Sequence, residues 1–380
     1  MGIDFSPSAQ SSVGIEWELL LVDQETGAPV GIAPQLLEEL GSDTGRLPHI
    51  TGEFLTNTVE IVSAPHARVA DAVHDLAELT ATVREAAAAH GAQLMGAGTH
   101  PFAEWRDAEV TPGSPRYETL VDRTQWWGRQ LLIWGVHMHI GLDDREKVLP
   151  VLGGLLTSYP HFQALSASSP FWTGADTGYA SNRALMFQQL PTAGLPPQLG
   201  AWANYEELVA DLTHVGVIDD HSELRWDVRP SPKWGTIELR YCDGLSTLRE
   251  VGALTALAQC LVEELSRDVE AGRDIPQLQP WYVRENKWRG ARYGLDAIVI
   301  VNSAGDERLV TDDLRDMLER LAPIAEQLDC AAELADIELI LERGASYQRQ
   351  RRVFESSGED AAAVVRSLVA EFATGEPATS

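Results

Sequence analysis

Apolar and polar positions alternate with a period of two over residues 14–22, which puts Ile15, Trp17, Leu19 and Leu21 on one face and Glu16, Glu18, Leu20 and Val22 on the other. The spacing predicts a strand whose second face carries two like charges one pleat apart. Residues 50–63 form another β-branched stretch, with Glu53 and Glu60. Their odd separation would send them to opposite faces of one flat strand, so a bend or bulge is needed if both serve one site. In residues 135–141, His137 and His139 share a face opposite Val136, Met138 and Ile140. Residues 224–243 read as two strands joined by a turn at 230–235. The first carries Arg225, Asp227 and Arg229 on one face, and the second carries Thr236, Glu238 and Arg240.

Helical patterns cover 34–40, 68–90, 147–168, 248–270, 311–332 and 359–372, and in 68–90 the apolar stripe is Ala70, Val73, Leu76 and Ala77. Residues 94–102 are a glycine-rich strand-to-loop segment that matches neither a Walker nor a Rossmann loop, with His100 expected as a loop imidazole bonded to backbone. The long loop 169–183 suggests a binding loop or lid, with Asn182 and Arg183 as polar anchors. Residues 348–352 read as a surface basic run. No internal repeat is present, and the connector 274–280 is too short to divide the chain. The expected organisation is a flexible N-terminus at 1–12, a single catalytic domain at 13–374 and a flexible tail at 375–380.

Charge narrows the function. With 29 Lys+Arg against 57 Asp+Glu, the net charge of −28 repels nucleic acid and anionic membrane, so neither is an expected partner. A nucleotide would need a cation and locally clustered arginines. Cys242, Cys260 and Cys330 are scattered without metal or redox spacing. The N-terminus lacks a signal pattern and no apolar run has the length of a membrane span, so a cytoplasmic location is expected.

The chemistry lies in the polar strand faces. Adjacent carboxylates among large apolar residues repel and lose hydration unless a cation compensates them, and carboxylate oxygens suit Mg²⁺. Taken singly, each could be a solvated face or a cross-strand ion-pair ladder; four strands with the same pattern point to one site. The account that unites them is an α+β fold: a curved, mainly antiparallel sheet, with helices packed on its apolar outer face and a concave polar face holding Mg²⁺ and a nucleotide. Arginines suited to phosphate are Arg183, Arg229, Arg240, Arg289 and Arg292, the last two in a basic stretch at 283–294 that could equally be a solvated helix face. His137 is a candidate contact to phosphate or to the carboxylates. An HxH pair can also bind zinc, although no third ligand is marked.

Several motifs together resemble the carboxylate-amine ligase (glutamate-cysteine ligase type 2) family: Gly14-Ile15-Glu16-Trp17-Glu18, Glu53 with Val59-Glu60-Ile61, Gly98-Thr99-His100-Pro101-Phe102, His137-Met138-His139-Ile140-Gly141, Ser166-Ala167-Ser168-Ser169-Pro170, Asp227-Val228-Arg229-Pro230-Ser231-Pro232, Gly235-Thr236-Ile237-Glu238-Leu239-Arg240 and Ala291-Arg292-Tyr293-Gly294. The resemblance spans about residues 13 to 370. It implies a glutamine-synthetase-like sheet, ATP and Mg²⁺ as cofactors, amide formation through an acyl phosphate, and a homodimer. Glutamate and cysteine would be the acid and the amine. It also implies that Glu16, Glu18, Glu60 and Glu238 hold metal, with Glu53 and His139 as further ligands, and that Arg240 faces phosphate or substrate; Glu60, Glu238 and Arg240 are then the catalytic candidates. Trp17 stands where many relatives carry an acidic or smaller apolar residue, and the strand reading turns it to the core. Other activities compatible with the residues are a phosphotransferase on the same site, a nucleotide-binding protein of low turnover, and a zinc-dependent amide hydrolase using His137 and His139.

Overall fold

The computed structural model describes residues 2–42 and 44–378. In chain order its first half contains β1 (Val13–Asp23), α1 (Ala33–Leu40), β2 (Ile50–Gly52), β3 (Thr58–Val62), α2 (Val69–Ala89), β4 (Ala92–Met95), α3 (Pro115–Thr124), α4 (Trp126–Arg129), β5 (Gly135–Gly141), α5 (Arg145–Leu155), α6 (Tyr159–Ser166), β6 (Phe171–Trp172), β7 (Ala175–Asp176) and α7 (Arg183–Phe187). The second half contains α8 (Trp202–His214), β8 (Val228–Ser231), β9 (Thr236–Asp243), α9 (Leu248–Glu270), α10 (Pro280–Tyr293), β10 (Ile298–Ile300), β11 (Glu307–Leu309), α11 (Val310–Gln327), α12 (Ala331–Arg343), α13 (Ser346–Ser356) and α14 (Ala361–Thr374).

One antiparallel sheet organises the chain, in the order β2-β3-β1-β5-β9-β8, with β4 also paired to β1. As the period-two pattern requires, Ile15, Trp17, Leu19 and Leu21 are buried with Val136, Met138, Ile140, Ile237 and Leu239 in one apolar cluster, to which α2, α9 and α12 contribute. Trp17 is 1% exposed and packs on Phe372, so the core accepts the large ring. Helix α9 carries buried residues at every position from 250 to 262, as expected of a helix enclosed on all sides. Beyond Glu18 the other face of β1 turns apolar. Leu20 and Val22 join a second cluster with Met95, Trp134, Phe171, Val364 and Leu368, which closes that end of the sheet.

Several expectations need correction. The stretch 50–63 is two strands: β2 and β3 form an antiparallel hairpin, so Glu53 lies at the chain reversal. Helix α2 buries Val69, Ala72, Leu76, Val83 and Ala87, a stripe rotated from the expected one. The pattern at 147–168 is divided into α5 and α6. Residues 2–12 are tied down, with the backbone N–H groups of Ser6, Ser8 and Ser11 donating to the carbonyls of Pro232, Leu142 and Gly141. The tail is held in part by Arg249 with Glu376 and by the Ala378 N–H on Glu371; Met1, Thr379 and Ser380 lie outside the described residues. The basic run 348–352 is not wholly on the surface. Arg349 is buried on α13 between Glu371 (2.9 Å) and Glu250 (2.8 Å). Among the described residues, no helix is long and apolar enough to cross a membrane.

Candidate active site

Strand register builds the site. Glu60 of β3 stands opposite Glu18 of β1, and Glu16 stands opposite His137 of β5. His139 stands opposite Glu238 of β9, which in turn faces Arg229 of β8. The polar faces of five strands therefore line up as one row across the sheet. The register slips between Val136 and Met138, so two residues of β9, Arg240 and Tyr241, stand opposite the single residue His137. The resulting bulge lets Arg240 reach both Glu238 and, at 3.4 Å, His137 Nδ1, while Tyr241 packs against Tyr159 and Phe162.

The row is electrically uneven. At the β8–β9 end, Arg229 Nε donates to Glu238 (2.6 Å) and Arg240 pairs with the same carboxylate. Burial alone would raise the Glu238 carboxyl, but Arg240, Arg229 and His139 outweigh it and hold the group well below the ordinary carboxylate range. Glu16 is likewise held low against its burial by His137 (3.0 Å) and His139 (3.2 Å). At the β2–β3 end nothing comparable compensates. Burial and then the charge of Glu53 push Glu18 up to about 7, despite Arg183 and an N–H from Gly135. Burial and then Glu53, Glu16 and Glu18 push Glu60 well above the usual value, and burial raises Glu53 as well. Burial and the Arg240 charge lower His137 to about 4, so this imidazole is neutral and offers a lone pair.

Among the described residues, two groups have ligand atoms close enough to share one ion: Glu16, His137 and Glu238, and Glu18, Glu60 and His137. Hard carboxylate oxygens dominate both, and the uncompensated carboxylates of the second are the chemistry a divalent cation relieves. His137 stands in both groups. His139, the imidazole expected as a ligand, stands in neither: its Nδ1 bonds Thr236 Oγ1 (2.8 Å), and its Nε2 lies 3.2 Å from Glu16 Oε1. Among the described residues neither group contains both imidazoles.

The other candidates are placed as follows. Arg183 is 3% exposed on α7; its Nη1 donates to the Arg240 carbonyl (3.2 Å), and its charge bears on Glu18. The missing side chain of Gly135 makes room for it, since a Cβ there would overlap Nη2. Arg289 is not in the site, because Glu285, Glu307 and the Ile298 carbonyl hold it on the outer side of α10. Arg292 bonds the Gly178 carbonyl and lies over Tyr179, so it braces the loop before α7. Asn182 is an anchor of that loop, donating to the Ser169 carbonyl and Thr177 Oγ1. Asp227 does not share a face with Arg229; the chain bends before β8, and Asp227 is buried against Lys287 at 2.6 Å. His100 is bonded to the Gly27 carbonyl and to the N–H groups of Phe102 and Ala103, away from the row. Sequence reasoning missed Asp243. Its buried carboxylate accepts from Ser168 N, Ser169 Oγ and Ser181 Oγ, tying β9 to the loop that carries Arg183. The serine-rich 166–170 segment was the available signal.

The model of glutamate-cysteine ligase family 2 matches residues 12–370. A protein assigned as a glutamate-cysteine ligase 2 in Clavibacter michiganensis is 60% identical over 375 residues, covering 99% of this chain and 98% of that protein. Its counterpart in Leifsonia xyli is 61% identical over 374 residues, covering 98% of this chain and 99% of the relative. Among solved structures, the Francisella tularensis glutamate-cysteine ligase in complex with AMP superposes with a TM-score of 0.68 at 14% identity, covering 97% of this chain and 90% of that one. A bifunctional glutathione synthetase from Pasteurella multocida gives 0.67 at 15% identity, covering 96% of this chain and 52% of the larger protein. At such identity these two establish a shared fold alone.

Proposed function

Because the chain belongs to glutamate-cysteine ligase family 2, we propose that it activates a carboxylate with ATP and joins it to an amine, with glutamate as the acid and cysteine as the amine. By family it is an ATP-dependent carbon-nitrogen ligase. The observation that carries the reading is the row itself, with excess carboxylate at the β2–β3 end and paired arginines at the β8–β9 end.

The donor set fits Mg²⁺. Glu18 and Glu60, with Glu53 beside them, would hold one ion, and Glu16 with Glu238 a second, with His137 facing both. When bound, Mg²⁺ neutralises phosphate oxygens and aligns the phosphoryl group for in-line transfer. The chain's own residues do the rest. Arg229 and Arg240 keep two guanidiniums at the phosphate end, and their hydrogen bonds can be divided between Glu238 and incoming phosphate oxygens. His137 stays neutral and adds no charge. The acid carboxylate attacks the γ-phosphorus, ADP leaves, and the amine displaces phosphate from the acyl phosphate to give the amide. No protein nucleophile is required: burial pushes the Cys242 thiol up to about 12, and Cys260 and Cys330 are also buried.

The test is ADP release by the purified protein with ATP, Mg²⁺ and single or paired amino acids, with mass spectrometry of the products. Release that needs both acid and amine, with an amide product, supports the reading. A stable phosphorylated product from one substrate would make it a phosphotransferase, and cleavage without ATP would overturn it.

A further inference from the structure

The start of α7 is organised by a carboxylate outside the row. Asp243 is buried at the end of β9, and its two oxygens serve two serines. Ser169 Oγ donates to Oδ2 (2.6 Å) and accepts the backbone N–H of Arg183 (3.1 Å). Ser181 Oγ donates to Oδ1 (2.8 Å) and accepts the N–H of Ala184 (3.2 Å). A helix start leaves such N–H groups without intrahelical partners, and here two of them are fixed to β9 through hydroxyl relays. The Ser168 N–H adds a bond to Oδ2 (3.0 Å), and the Ser168 hydroxyl ties in the Gly98 N–H (2.8 Å) and the Gly244 carbonyl (2.6 Å). A Cβ on Gly98 would overlap the Asp243 carboxyl, so this glycine leaves the space in which the carboxylate sits.

The relay holds an arginine with unused hydrogen-bonding capacity. Arg183 is buried and has no ion-pair partner among the described residues; its Nε makes no hydrogen bond, and its Nη1 has the Arg240 carbonyl (3.2 Å). Burial raises the Asp243 carboxyl, and the Arg183 charge is the first influence opposing that rise, so the two charges are near one another. The Asp243 carboxylate nevertheless gives its hydrogen bonds to the serines and to a backbone N–H, not to the guanidinium. A direct pair would occupy the guanidinium fork. Holding the backbone of residues 183 and 184 instead fixes where the side chain begins and leaves its charge for an oxyanion in the row.

Resting on the ligase reading above, we propose that Asp243 is a positioning residue for turnover: through Ser169 and Ser181 it sets Arg183 beside Gly135 and Glu18 with its charge unpaired, ready for a carboxylate or phosphate oxygen of the reactants. Asp243 itself touches no reactant. Its effect on the reaction passes entirely through Arg183, and that is what separates it from a carboxylate that merely stabilises the fold.

Steady-state kinetics of the full chain with ATP, Mg²⁺, glutamate and cysteine test this in D243N, S169A, S181A, R183Q and the double variant R183Q/D243N. In D243N and in R183Q, kcat/KM should fall at least about tenfold, from loss of a charge-assisted contact. The double variant should fall no further than R183Q, because a residue that acts only through Arg183 then has nothing left to position. S181A and S169A each remove one hydroxyl and should show smaller losses of the same kind, so the test stands even if D243N does not fold. A change carried by the glutamate KM assigns the oxyanion to the acid, and one carried by the ATP KM or by kcat assigns it to the transferring phosphate; both uphold the proposal. Losses in D243N and R183Q that multiply in the double variant would overturn it, as would wild-type kinetics in R183Q or in both serine variants. If the wild type forms no amide from any acid and amine, the ligase reading fails separately. Crystal structures of the wild type and S181A then decide the positioning: an Arg183 guanidinium displaced from the Arg240 carbonyl in S181A upholds it, and one that stays in place rejects it.

Discussion

Glu18 and Glu60 stand directly opposite one another on adjacent antiparallel strands, inside a site where burial raises both carboxyls. Like charges in that register destabilise a sheet. E60Q is therefore expected to make the metal-free protein more stable by about 1 kcal/mol while lowering Mg²⁺-dependent turnover. Urea unfolding in EDTA, set beside the ADP-release rate, reads both. A less stable variant would mean that the pair is compensated in a way the geometry does not provide.

Glu238 should behave in the opposite way. It holds two guanidiniums, and E238Q leaves both under-compensated, so both stability and activity are expected to fall, the former by about 2 kcal/mol. The contrast in sign between the two Glu→Gln variants, measured in one buffer, separates the charge-poor end of the row from the charge-rich end.

The metal-dependent gain in stability should grow with pH. A Glu18 carboxyl raised from its ordinary 4.5 to about 7 stays protonated in the fold at pH values where the unfolded chain has ionised. Its contribution is complete below 4.5 and is lost as pH rises through 7. Glu16 and Glu238, held low, contribute steadily above 4.5. Mg²⁺ competes with the Glu18 and Glu60 protons, so its increment in Tm should be small at pH 6 and larger at pH 8. His100 and the other groups outside the row titrate alike with and without metal, so the difference between the two melts isolates the effect. An increment that does not change over this range would count against these carboxylates as ligands.

Gly135 leaves the space in which the Arg183 guanidinium lies, and its N–H donates to Glu18. Arg183 is buried and cannot swing aside freely. G135A should therefore cost about 1–3 kcal/mol and lower kcat, with the KM for ATP less affected. Wild-type kinetics in this variant would show that Arg183 has no part in turnover.

Arg349 offers a test of the scaffold away from the chemistry. R349A would leave Glu250 and Glu371 buried without their cation, a loss of about 3–5 kcal/mol that thermal or urea unfolding would detect. A shift of a few tenths would mean that water reaches the pair.

Local pattern alone was enough for much of this molecule. A period of two in residues 14–22, 135–141 and 236–240 determined which side chains share a face, and therefore that Glu16, Glu18, His137, His139, Glu238 and Arg240 could meet on one side of a sheet whose other side is core. Partners distant in sequence were decided only by tertiary structure. The reversal between β2 and β3 brings Glu53 back toward Glu60, Glu307 keeps Arg289 out of the site, and Lys287 takes Asp227 to the helical side. Glu250 and Glu371 draw Arg349 into the core. The physical reason is the range of the interactions. Backbone geometry assigns a side chain to a face within a few residues, whereas the charge it meets there depends on register and packing between elements far apart in the chain.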